Sequence, residues 1–181
     1  LEKTRGVIKN LCEKTANGAA LPGTCGIGHT RWATHGVPDD INAHPHISND
    51  GRFAVVHNGI IENYAALKTE LTAKGYEFIS QTDTEIVANL LDLYYEGNLL
   101  SAVMKAVSRL DGSYSLGVLC SEHPDRIIAV REKSPLIIGV GIGENYFASD
   151  VTALVAHTRN VIYLDDCEVA ELTPDSIKVY E

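Results

Sequence analysis

The chain has 181 residues, a formal net charge of −9, 45% hydrophobic residues and 22% charged ones, which suits one domain, spanning residues 1–181, with a sizeable core. Dispersed Lys and Arg on an acidic background exclude a nucleic-acid binder, which needs clustered cations against phosphate. No apolar run is long enough to cross a bilayer and the first ten residues form no apolar signal region, so a cytoplasmic protein without membrane contact is expected.

In chain order, Val7, Ile8, Leu11 and Cys12 have helical spacing and predict a short opening helix that stops at Asn17-Gly18. Cys25–Arg31 reads as a strand running into a long polar connection, 32–50, whose length points to a functional role. Phe53–His57 is an apolar, β-branched run that predicts a buried strand, with a sharp turn at Asn58-Gly59. Helices follow over Ile60–Lys74, Thr84–Tyr95 and Leu99–Leu110, the second capped by Thr82 or Asp83.

Beyond Asp111-Gly112 the pattern changes to strands over 113–119, 126–131, 136–140, 146–149, 161–164, 169–172 and 177–180, with one short helix over 151–157. The glycines of Gly139-Val-Gly141-Ile-Gly143 sit between two of these strands and predict a hairpin turn, not a dinucleotide loop, since no helix pattern follows. A block of helices beside turn-linked strands indicates an α+β fold with largely antiparallel sheet. The cysteines are widely spread, without a C-x-x-C pair, which fits a reducing compartment; Cys12, Cys120 and Cys167 are expected as small buried hydrophobes.

Five histidines, His29, His35, His44, His46 and His57, crowd ahead of the first central helix. Their spacings match no familiar zinc signature, so neither metal nor cofactor is expected; the alternative is that they bond loop backbone and shape a polar pocket. Other residues in the same region have the chemistry of an amino-acid site. Arg31 carries the planar fork that binds an α-carboxylate, Asp83 can hold an ammonium group, and the Asn58 amide beside the Gly59 N–H offers two donors to a developing oxyanion. Singly, each also reads as a surface ion pair, a helix cap or an ordinary turn.

The order of the segments adds to this. Gly28-His-Thr-Arg-Trp-Ala-Thr-His-Gly36, Asn42-Ala-His-Pro-His46, Val55-Val-His-Asn-Gly-Ile-Ile-Glu-Asn63 and Thr82-Asp-Thr-Glu85, continuing through Asp111-Gly-Ser-Tyr114, Ser134-Pro-Leu136 and Ala148-Ser-Asp150, resemble the glutaminase domains of class II glutamine amidotransferases of the glucosamine-6-phosphate synthase kind. The resemblance implies an N-terminal-nucleophile fold, a four-layer αββα sandwich with antiparallel sheets. It also implies that Arg31, with Thr34, binds the α-carboxylate of L-glutamine, that Asp83 holds its ammonium, and that Asn58 and Gly59 form the oxyanion hole. Trp32 would gate ammonia toward a sugar isomerase domain that binds fructose 6-phosphate in a homodimeric parent, and His35 and His44 would lie in loops closing over glutamine.

The family begins with a cysteine whose thiolate attacks the amide while its α-amine acts as base. This sequence begins with Leu1, so an N-terminally truncated domain is expected, with a catalytically inactive glutamine-binding fragment as the alternative reading. Cys25 is internal, without a free α-amine, and is expected in the core.

Overall fold

A computed structural model describes residues 1–31, 37 and 39–181. The helices are α1 (Ile8–Lys14), α2 (Tyr64–Ala73), α3 (Thr84–Tyr94) and α4 (Leu99–Val107). The strands are β1 (His46–Ile47), β2 (Phe53–Ile61), β3 (Gly112–Cys120), β4 (Ile127–Glu132), β5 (Ile137–Val140), β6 (Asn145–Ala148), β7 (Val161–Tyr163), β8 (Val169–Leu172) and β9 (Ile177–Tyr180). A single 3-10 turn, Val151–Ala153, stands where a short helix is expected.

The strands form a six-stranded sheet, β1-β2-β3-β4-β8-β9, and a three-stranded sheet, β6-β5-β7. All pairings between these strands are antiparallel. Strand alternation makes the larger sheet a middle layer. On β4, Ile128 and Val130 join Leu71, Ile86, Leu90 and Val103 of the helices, whereas Ile127 and Ala129 join Leu136, Ile138 and Leu164 on the other side. Burial of both faces explains why β4 reads as a continuous apolar run over Ile127–Val130 and why all four residues of β8 are buried. Gly117 permits the close approach of the two sheets, because a Cβ there would stand 2.4 Å from Phe147 Cζ.

Four sequence expectations are corrected. Residues 25–31 form no strand; Gly26 and Gly28 remove every second side chain from the start of that stretch, although Cys25 and Ile27 lean on the second core cluster. Asn58-Gly59 is not a turn but continues β2, pairing with Ser115 and Tyr114, and α2 consequently starts only at Tyr64. Asp83 occupies the N-cap position of α3 without capping it through its side chain. Cys167 is exposed on the turn before β8 at φ +68°, its thiol donating to Glu132 Oε2 at 3.0 Å. The glycines around 141–143 do join β5 to β6 as a hairpin.

Candidate active site

The site is built around the end of β2. Gly59 has φ +112°, and a Cβ on it would lie 2.0 Å from the Ser113 carbonyl oxygen and 2.9 Å from Ser134 Oγ. Gly112 on the facing strand has φ +137°, and its Cβ would lie 2.2 Å from the Ile60 carbonyl oxygen. Two glycines thus let β2 and β3 pinch together where no side chain fits. The neighbouring Asn58 lines a cavity of about 490 Å³ between the sheets, with His29 and His57 on its own side and Tyr146, Phe147 and His157 on the other.

His29 joins Asn58 to Arg31. Its Nε2 lies 2.8 Å from Asn58 Oδ1, and its Nδ1 accepts the Arg31 backbone N–H at 2.8 Å. Arg31 has φ +43°, a region that residues other than glycine populate sparsely and that recurs at ligand sites. Its guanidinium donates through Nη1 to the Asn42 carbonyl. Asn42, buried, also donates to the Val37 carbonyl and accepts from the Gln81 backbone N–H, tying the loop of Arg31 to the segment before α3.

Asp83 turns its carboxylate back to β2. Oδ2 accepts the Ile61 backbone N–H at 2.8 Å, and Oδ1 lies 3.7 Å from His57 Nδ1, which is within 2.9 Å of Thr84 Oγ1. His46 Nε2 meets Thr82 Oγ1 at 3.0 Å. His44 stands among the other rings, its centroid 4.3 Å from that of His29, 5.1 Å from His46 and 6.3 Å from His57.

Burial holds these imidazoles neutral, because a cation in the cluster would lose solvent and face its neighbours' charge. Burial first, then His29 and His46, push His44 down to about 2. Burial, then Lys3 and Arg31, bring His46 to about 3. Burial brings His57 to about 4 against the opposing pull of Asp83, and burial lowers His29 despite its bond to Asn58. Among the described residues no group of His, Cys, Asp or Glu is arranged to hold a metal ion.

A sequence profile for the glutamine amidotransferase domain matches residues 29–156. The chain belongs to that family. It is 54% identical, over 98% of its length, to the glutamine–fructose-6-phosphate aminotransferase (isomerizing) of Caldanaerobacter subterraneus subsp. tengcongensis. It is 52% identical, over 99% of its length, to the enzyme of the same name from Clostridium acetobutylicum. In both cases the chain spans only 29% of the relative. The structure of glutamine phosphoribosylpyrophosphate amidotransferase from B. subtilis superposes with a TM-score of 0.69 at 26% identity, covering 84% of this chain and 33% of that one. The fold is accordingly the antiparallel α+β sandwich of the N-terminal-nucleophile amidotransferases.

Within this amidotransferase domain four of the expected site residues divide among three cavities, and Gly59 lines none of the three. Asn58 lines the first, Arg31 and His44 line a second of about 680 Å³, and Asp83 lines a small third of about 80 Å³ with Ile60, Ile61 and Gln81. His29 lines both larger ones, together with Gly26, Ile27, Gly28 and Thr30. Trp32, Thr34 and His35 lie outside the described residues. Cys25 lines the second cavity but not the first, and burial pushes its thiol up, the reverse of an activated nucleophile. The sequence places His29 and His57 only within a histidine cluster expected to bond loop backbone and shape a polar pocket, without a role of their own. A further signal for His29 is its position two residues ahead of Arg31, a spacing at which a side chain can accept a loop N–H.

Proposed function

We propose that the chain is a glutaminase domain that hydrolyses the side-chain amide of L-glutamine and, in the complete protein, supplies the ammonia to a fused sugar isomerase domain that converts fructose 6-phosphate to glucosamine 6-phosphate. The reading extends to a cytoplasmic homodimeric parent. No helix among the described residues is long and apolar enough to cross a membrane.

Arg31, with Thr34, binds the α-carboxylate through a charge-assisted fork, and Asp83 holds the ammonium. When a nucleophile adds to the amide carbon, the carbonyl oxygen takes up negative charge, and the Asn58 amide with the Gly59 N–H donates to it. Collapse of that intermediate expels ammonia, which Trp32 gates toward the sugar, while His35 and His44 close the pocket over glutamine. The observation that carries the reading is the pairing of Asn58, on a cavity wall, with a glycine at φ +112° that tolerates no side chain. A side-chain amide beside a backbone N–H that no side chain shields supplies the two kinds of donor that electrostatic stabilisation of an oxyanion uses.

The test is Arg31→Ala in the complete protein, assayed by glutamate release. Loss of the carboxylate's partner is expected to raise the KM for glutamine by about tenfold or more with a smaller change in kcat. An unchanged KM would overturn the assignment of Arg31.

A further inference from the structure

His29 has ring nitrogens whose roles are fixed by what they face. Nδ1 lies 2.8 Å from the Arg31 backbone N–H, a group that only donates, so Nδ1 must present its lone pair. Burial, together with the charge of Arg31, holds His29 below the ordinary histidine range, so the ring is neutral and carries its one proton on Nε2. Nε2 lies 2.8 Å from the end of the Asn58 side chain, and a donor there requires that end to be the amide oxygen. If the amide were rotated by half a turn, two donors would face each other.

The direction of the Asn58 NH₂ therefore follows from a single N–H in a loop 27 residues away (58 − 31). The same contact ties down the Arg31 backbone at φ +43°. Asn58 and Arg31 line different cavities; residues 26–30 line both, and of these His29 bonds to Asn58 and to Arg31.

We propose that His29 is a positioning residue that sets the two ends of the glutamine site separately: its Nε2–H locks the Asn58 amide with NH₂ toward the oxyanion, and its Nδ1 holds the turn that presents Arg31. The proposal rests on the reading of Asn58 as oxyanion donor and Arg31 as carboxylate anchor. It adds that one ring serves both through different atoms, so the two effects are separable.

Two conservative substitutions separate them. In Asn the side-chain oxygen stands where Nδ1 stands, so His29→Asn keeps an acceptor for the Arg31 N–H and loses the donor to Asn58. In Gln the amide nitrogen stands where Nε2 stands, so His29→Gln keeps the donor to Asn58 and loses the acceptor for Arg31.

Measured on the complete protein by glutamate release, His29→Asn is expected to lower kcat by about tenfold or more with KM within about threefold, and His29→Gln the reverse. Asn58→Gly is measured beside them, and in its background His29→Asn should cause no further loss of kcat. Parallel changes in kcat and KM in both variants, or no change in either, would overturn the proposal. Should one variant fail to fold, the kcat of the Asn variant or the KM of the Gln variant decides alone. An Asn58→Gly enzyme of normal kcat would sink the oxyanion-hole reading itself, whereas a slow Asn58→Gly beside a normal His29→Asn would sink only the positioning role.

Discussion

Single residues of this domain are ambiguous until their partners are known. Asn58-Gly59 has the composition of a hairpin turn, yet the pair lies inside β2, because the Ser113 carbonyl occupies the place a side chain would take at Gly59. Asp83 has the position of a helix cap, yet its carboxylate serves the Ile61 N–H of β2. Both departures replace a local role with a long-range contact, and neither can be read from spacing, since each depends on a neighbour more than twenty residues distant. Arg31, Asn58 and Asp83 are expected as one site from the order of the motifs, and the structure has them line three cavities. His29 is not, because its role depends on which nitrogen bears the proton. For Arg31 the planar guanidinium already engages the Asn42 carbonyl, which fixes its orientation. A lysine keeps the charge but not the fork, so Arg31→Lys should raise the KM for glutamine almost as far as Arg31→Ala, and a KM near the parent's would show that charge alone suffices.

Elements are legible where periodicity is strong. The sequence predicts α3, α4, β8 and β9 to within about three residues, because α3 and α4 repeat apolar residues at helical spacing and the strands are short, β-branched segments between turns. Residues 25–31 mislead because glycines remove the side chains a strand would pack, and β1 escapes because it has only two residues. The approach to α3 illustrates how one side chain holds an element that carries the site. Buried Glu85, 3% exposed, accepts the Ile79 and Ser80 backbone N–H groups at 3.0 and 2.8 Å and the Ser80 hydroxyl at 2.6 Å. Glu85→Ala strands these donors and is expected to cost about 3 kcal/mol of stability, read as a lowered denaturant midpoint at unchanged slope. A loss below about 1 kcal/mol would mean that water replaces the carboxylate without penalty.

At the scale of the molecule, the sheet between helices and second sheet brings four histidines into one uncharged cluster, His46 and His57 buried and His29 and His44 half-buried. His44, His46 and His57 are held at about 2, 3 and 4, below the value of 6.5 of an exposed imidazole. Below pH 6.5 the unfolded chain takes up protons that the folded chain refuses, so the stability is complete above that pH and falls progressively as pH drops toward 4. Each histidine contributes a slope of about 1.4 kcal/mol per pH unit in that window. Denaturant unfolding at pH 7.5, 6.5 and 5.5 should show the loss, and His46→Gln, which keeps a partner for Thr82, should make the slope shallower by about one histidine's worth. A pH-independent midpoint would place charged histidines in the folded state.

The central claim, that β2 delivers an oxyanion hole, is tested most directly by kcat and KM for glutamine in Asn58→Gly of the complete protein. Glycine keeps the backbone free to follow the strand and removes only the amide. The account predicts a folded enzyme whose kcat falls by about a hundredfold, equivalent to about 2.7 kcal/mol, with KM little changed. A folded variant with near-normal kcat would contradict it.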